Sequence, residues 1–315
     1  MRIIMNVSAA EMNGPVSAKL SLGPLKYQLV AHDAWGEGLL GDLNAHLDLS
    51  AGMNDLPDRI IHLCSLPQGA GDRKEERTLT EQLESWLPDG DRGRRWSYCR
   101  NLVNTVWSSA ESRHGFWTAG IDSGLGRFRY HLPWDMILYD MKRQGGGLIH
   151  GGLAVHEGAA LLLLAPPGGG KTTTLASAPA DWQVMSDDAA LVWPLETGAW
   201  QATPLPSWGV LNGTTAGPTS TLRQLDQPVP VHAVVRLYQA GTLSLDPLPP
   251  VTAAPLIYRA LCEYPAAFLA DPDSRRHFFR TAARLARQLP CWRLDLPLHA
   301  PVWIRLEALL PEFAA

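Results

Sequence analysis

The stretch "LLLLAPPGGGKTTTL", Leu161 to Leu175, decides how this chain is read. Its leucine run predicts a buried strand. Pro166 and Pro167 stop the strand, and Gly168, Gly169 and Gly170 follow, then Lys171 and a run of threonines. Ala165 to Thr172 fits the phosphate-loop pattern: a small residue, four of any type, Gly-Lys, then Ser or Thr. Each part has a physical use. Glycines let the backbone curl so that successive N–H groups point inward and form a concave anion site. The helix expected from "TTTLASA" adds partial positive charge at its start. Lys171 would reach the β- and γ-phosphates, and the Thr172 hydroxyl would ligate the magnesium that bridges them. The expected ligand is therefore ATP with Mg2+, held by Ala165, Pro166, Pro167, Gly168, Gly169, Gly170, Lys171, Thr172 and Thr173. Ala165 stands where glycine is commoner, and the proline pair stiffens the front of the loop.

Working outward, "WQVMSDDAALVW" reads as two strands around an aspartate pair. In a phosphate-loop fold, a strand end beside the loop is where a carboxylate holds magnesium or takes a proton. Asp187 and Asp188 are candidates for both roles. On the other side, "LIHGG" places His150 just before the hairpin that delivers the loop. A lone histidine is usually structural or exposed, so alone it carries no assignment.

Composition limits the wider reading. A chain of 315 residues with 46% hydrophobic and 18% charged content buries a real core. A formal net charge of −4 gives no reason to expect a nucleic-acid partner. The four cysteines are widely spaced and form no CxxC pair, so neither a zinc site nor a disulfide framework is expected. The N-terminus lacks a signal-peptide core, and no window approaches the roughly 20 apolar residues of a membrane span. The expectation is a soluble cytoplasmic protein without a membrane partner.

The glycine run Gly145–Gly147 is the best boundary, dividing 1–145 from 146–315. The first part reads as a β-rich α+β domain. Strands are expected in "AKLSLGPLKYQLVA", broken at Gly23-Pro24, in "RIIHLCSL", in "GRRWSYCRNLVNTVWSS" and in "GFWTAGID". The segment 69–86 reads as a charged loop entering a short helix, and "LPWDMILYDMKRQGGG" as a helix. The second part alternates strands with the glycine loop. It ends in a helix over "DPDSRRHFFRTAARLARQLP", a strand in "CWRLDLPL" and a short helix in "APVWIRLEALLPEF".

His150-Gly151, then Gly168-Gly169-Gly170-Lys171-Thr172, then Asp187-Asp188 together resemble the catalytic domain of HPr kinase/phosphorylase. The likeness is to the HPr-kinase-related proteins of peptide-modification cassettes, which include the SynChlorMet cassette protein and the lasso-peptide kinases. It covers about Leu148 to Pro194 well and the rest loosely. The fold so implied is a P-loop domain of the PEP-carboxykinase and HPr-kinase type following the β-rich N-terminal domain. The activity implied is transfer of the ATP γ-phosphate to a serine-type hydroxyl of a peptide or protein. Asp187 would be the base, Asp188 and Thr172 would hold magnesium, and His150 would lie near the transferred phosphate. Bifunctional members carry an "EIRG"-like segment with a metal-binding glutamate. Here the comparable region, "PLPSWGVLNG" (204–213), has no acid, which argues against phosphorolysis.

Weaker signals remain. Arg276, Arg280, Arg284 and Arg287 fall on one helical face, either a solvated surface or a dock for an acidic partner. Arg236 and Arg259 are further candidates for the γ-phosphate. Residues 202–220 read as a long loop, either a substrate loop or a surface connection. Trp86, Trp96, Trp107 and Trp117 are core residues before they are a peptide groove. The alternatives to a kinase are a P-loop NTPase without a phospho-acceptor and a nucleotide-regulated binding protein of a peptide-maturation complex.

Overall fold

The computed structural model describes residues 16–46, 49, 56–65, 85–91, 97–100, 104–108, 112–119, 134–205, 227–263, 271–297 and 300–310. Over these residues the chain is mixed α/β and builds two sheets. The first has six strands in the order β1-β2-β3-β6-β5-β4. Its strands are β1 (Ser17–Leu22), β2 (Leu25–Ala31), β3 (Arg59–Cys64), β4 (Ser97–Arg100), β5 (Asn104–Ser108) and β6 (His114–Ala119). Gly23 makes the β1–β2 turn with φ of 56°, a left-handed conformation that suits glycine. The parallel pairings β2–β3 and β3–β6 occupy the middle of this sheet. Helix α1 (Ala34–His46) provides the crossover from β2 to β3, and α2 (Trp134–Arg143) leads toward the second sheet.

The second sheet has nine strands and follows the path β10-β8-β9-β13-β12-β11-β7. These are β7 (Gly147–His150), β8 (Gly152–His156), β9 (Ala159–Leu164), β10 (Gln183–Ser186), β11 (Ala189–Pro194), β12 (Trp200–Leu205) and β13 (Val229–Gln239). β14 (Ser244–Pro247) and β15 (Cys291–Leu296) complete it, with β15 parallel to the last part of β13. One feature of the register positions the site. Ser186 faces Leu153, and Ala189 faces His150. Asp187 and Asp188 therefore stand opposite Gly152 and Gly151 in one continuous antiparallel ladder, closed there by Gly151 N–H donating to the Asp188 carbonyl at 2.9 Å. The ladder kinks at this point and passes from the β8–β10 edge to the β7–β11 edge. Leucine methyls pack closely on both glycines. A Cβ on Gly152 would come within 2.5 Å of Leu175, and one on Gly151 within 2.9 Å of Leu164.

The helices of the second half are α3 (Lys171–Ala176), α4 (Pro250–Leu261), α5 (Pro272–Gln288) and α6 (Trp303–Glu307). α4 and α5 cover one face of the sheet, where Ile257, Leu261, Phe278 and Leu285 meet Ile149, Leu162 and Val192. α6 covers part of the opposite face, with Trp303 and Leu306 against Leu161, Leu163 and Val235. A third core joins the sheets. Leu20, Leu29, Ile61 and Trp117 of the first share it with Leu148, Leu191, Trp193 and Leu205 of the second. A buried bidentate pair ties β3 to α2, the Arg59 Nε and Nη2 donating to Asp140 at 2.9 and 2.6 Å. On the first sheet three histidines form a hydrogen-bonded row. His32 Nε2 meets His62 Nδ1 at 2.7 Å, and His62 Nε2 meets His114 Nδ1 at 2.9 Å. Burial, and then the neighbouring His32 and His114, push the His62 pKa down to about 3.

Most expected elements are present, with two additions and one shortening. α1 and α4 were not legible because their sequences carry breakers: Gly36, Gly38 and Gly41 in the first, Pro255 inside the second. The long loop expected from 202 begins as strand, since β12 runs to Leu205, and 206–220 lies outside the described residues. The charged segment 69–84 also lies outside them, as do the side chains of Trp96 and Trp107. Trp117 is fully buried, and Trp86 stacks on His32 with ring centroids 4.3 Å apart. Among the described residues no helix is long and apolar enough to cross a membrane.

Candidate functional site

The all-buried strand β9 ends at Leu164, and the chain then turns back over its own carboxyl end. Gly168 and Gly170 take φ of 73° and 90°, so the glycine run meets a backbone requirement. Gly169 is needed for space, because a Cβ there would meet Pro166 Cδ at 2.7 Å. The turn is closed by Gly169 N–H donating to the Pro166 carbonyl at 2.8 Å, and α3 begins with Thr174 N–H donating to the Gly170 carbonyl at 2.8 Å. Gln239, at the end of β13, holds the loop from outside. Its amide donates to the Gly168 carbonyl at 2.8 Å.

Lys171 opens α3 beneath this turn. Its ammonium is buried and has no hydrogen-bond partner among the described residues. Burial lowers the Lys171 pKa, and the charges of Asp188, Asp187 and Glu263 oppose that shift. Asp187 and Asp188 sit at the kink of the β7–β8 and β10–β11 ladder, and Glu263 approaches from the end of α4. Ser186 fixes the kink from inside: its buried hydroxyl donates to the Ala189 carbonyl at 2.8 Å and accepts from Asp188 N–H at 3.2 Å and Ala189 N–H at 3.1 Å. Asp187 is exposed and Asp188 half-buried. His150 lies between two carboxylates, with Nε2 3.8 Å from Asp188 Oδ1 and Nδ1 3.7 Å from Glu263 Oε1. Burial lowers the His150 pKa, and the Lys171 charge adds to this. Glu263, Asp188 and Asp187 pull the other way. The site therefore combines a cation, a histidine biased toward its neutral form and three acids.

The structure brings together His150, Lys171, Asp187 and Asp188 from separate parts of the sequence. Thr172 and Thr173 are exposed on the first turn of α3, next to Lys171. Glu263, just past the end of α4, escaped the sequence reading. It is the sole acid between Asp246 and Asp271, yet nothing local points it at the phosphate loop. Gln239 escaped it too. A cavity of about 660 Å³ opens beside the loop, lined by Gly170, Thr173, Ser177, Gln239, Leu296 and Val302 among others. Of the other candidates, Arg236 is buried, its Cα in register with Leu164 and its guanidinium 5.7 Å from the Tyr238 ring. Arg259 is exposed on α4. The arginine face of α5 is partly engaged within the fold. Arg276 pairs with Asp273, and Arg284 donates to Gln288 while lying 5.6 Å over the Trp200 ring. Arg287 donates to the Ala283 carbonyl, and Arg280 is exposed.

The family model of the SynChlorMet cassette protein ScmC matches residues 131–311. The match covers more than half of the chain, from just before α2 to beyond α6, and includes every residue of the cluster. None of the curated proteins matches the chain. The chain belongs to the SynChlorMet cassette protein ScmC family.

Proposed function

We propose that this member of the ScmC family is an ATP-dependent kinase that transfers the γ-phosphate to a serine-type hydroxyl of a peptide or protein. The observation that carries the reading is the buried Lys171 ammonium, without a hydrogen-bond partner among the described residues, beneath a positive-φ glycine loop with Asp187 and Asp188 beside it. A buried cation without a partner is costly, and a polyanionic phosphate is the natural counter-charge. The order His-Gly, glycine loop, Asp-Asp, shared with HPr kinase/phosphorylase, supports a P-loop domain of the PEP-carboxykinase and HPr-kinase type. The cavity at Thr173, Gln239 and Leu296 has the size and mixed lining expected for a base and ribose.

The donors fit magnesium. Mg2+ is held by one or two carboxylates plus substrate phosphates and keeps several waters, so no closed protein cage is required. Asp188 and the Thr172 hydroxyl would hold the ion, which when bound neutralises charge on the β- and γ-phosphates. Lys171 orients the same phosphates. Asp187, the more exposed acid, takes the proton from the acceptor hydroxyl. The hydroxyl oxygen bonds to the γ-phosphorus, the bond from that phosphorus to the β-bridging oxygen breaks, and ADP leaves. His150, set between Asp188 and Glu263, would lie near the transferred phosphate. Glu263 adds an acid that the 204–213 region lacks.

The test is incubation with radiolabelled ATP, Mg2+ and peptides encoded beside the gene, against a panel of free hydroxyl metabolites. Label in a peptide serine, lost in Lys171→Ala, is expected. Label released only as inorganic phosphate would make the protein an NTPase, and label only in a metabolite would overturn the acceptor class. Nucleotide binding without turnover would leave the regulatory reading.

A further inference from the structure

A second cluster lies at the other end of the β8–β9 hairpin. His156 is the last residue of β8, paired with Ala159 across the tight Glu157-Gly158 turn. Asp181 lies in the turn before β10, and Glu307 is the last residue of α6. One ligand atom from each lies within 4.8 Å of the other two. β9 separates this cluster from the phosphate loop by its whole length, on the order of 20 Å at about 3.3 Å per residue.

The spacing suits a shared ion. His156 Nε2 and Asp181 Oδ2 are 3.3 Å apart, within hydrogen-bond reach and also close to the roughly 3.4 Å that separates two ligands bound at about 2.1 Å to one tetrahedral ion. The supporting contacts are those of a held ligand set. The Trp182 indole N–H donates to Glu307 Oε1 at 3.4 Å. The Trp182 ring lies 5.1 Å from that of His156 and 4.7 Å from that of Trp303 on α6. His156 is only 5% exposed, while the Asp181 side chain is 59% exposed. A buried nitrogen ligand thus sits at the base, with carboxylates toward solvent.

We propose that His156, Asp181 and Glu307 form a divalent transition-metal site, with Zn2+ as the preferred ion. One imidazole and two carboxylates suit Zn2+, whereas Mg2+ and Ca2+ take oxygen ligands. Three protein ligands leave a fourth position for water. The ion joins α6 to the end of β8 and to the turn before β10. α6 has five residues, far too few for a helix that is stable alone, so this tie bears on the stability of the C-terminal segment.

The test uses the full chain, stripped with a chelator, titrated with ZnCl2 by calorimetry and followed by thermal melts. One equivalent of Zn2+ should bind with micromolar or tighter affinity and raise Tm, and MgCl2 should bind at least 100-fold more weakly. Asp181→Asn, at an exposed position that leaves the fold intact, and Glu307→Gln should each weaken Zn2+ binding at least tenfold. Trp182→Phe should weaken it by a smaller factor. Lys171→Met should leave it unchanged, which separates this site from the nucleotide reading. Absence of binding below about 100 μM in the wild type overturns the proposal. So does stoichiometric binding that survives both Asp181→Asn and Glu307→Gln.

Discussion

Replacing Lys171 by methionine separates a phosphate ligand from a structural residue. Methionine keeps the apolar stem and removes the ammonium. That ammonium is buried without a hydrogen-bond partner among the described residues, and burial holds its pKa below the ordinary 10.5. An unsatisfied buried polar group costs about 1–3 kcal/mol. Lys171 as a whole is only half-buried, and Asp188, Asp187 and Glu263 oppose the shift, so the lower end applies. Lys171→Met should therefore fold as well as the wild type or gain about 1 kcal/mol in urea denaturation. Its pH dependence should also change. Between the lowered pKa and 10.5 the unfolded wild type binds more protons than the folded form, so wild-type stability rises with pH across that window. The variant should lack this component. Nucleotide binding should move the opposite way. Hydrogen bonds to charged groups contribute about 1.5–3 kcal/mol, which corresponds to roughly 10- to 150-fold in affinity for Mg-ATP by calorimetry. A variant that loses 2 kcal/mol or more of stability and binds Mg-ATP like the wild type would refute the reasoning. Lys171 would then be structural.

Asp187→Asn should hold Mg-ATP within a few-fold of wild type and lose phosphoryl transfer by about 10²–10⁴, the usual contribution of a general base. Normal transfer in that variant with loss in Asp188→Asn would exchange the two roles. Glu263→Gln should lower the His150 pKa further, because Glu263 is among the charges that raise it. An NMR titration showing no change, or a rise, would remove Glu263 from the cluster. Asp140→Asn should cost about 3–5 kcal/mol in urea denaturation, since it leaves the buried Arg59 guanidinium without its carboxylate. His62, whose pKa falls to about 3, stays neutral in the fold while the unfolded chain takes a proton below about 6.5. Stability should thus be intact above pH 6.5 and fall toward pH 3 at about 1.4 kcal/mol per pH unit from this group. His62→Gln should flatten that slope.

Local pattern carried far in this chain. The leucine run, the glycines and Lys171 announced a strand, a curled loop and a helix start, because each rests on backbone preferences of neighbouring residues. The cap at Asp271 and the stop at Pro290 bounded α5 for the same reason: Asp271 accepts the first free N–H groups, and proline cannot continue a helix. The aspartate pair was legible as a candidate because it falls between two β-favouring runs. Other features were decided only in three dimensions. The continuous ladder that sets Asp187 and Asp188 against Gly152 and Gly151 depends on register between strands far apart in sequence. Glu263 reaches His150 because α4 packs across the sheet and ends there. His156, Asp181 and Glu307 meet because α6 docks through Trp303 beside Trp182. Backbone preferences are local and are written residue by residue. Which distant side chains come to share a charge or a ligand position follows from how the apolar faces pack, and no short window of sequence contains that information.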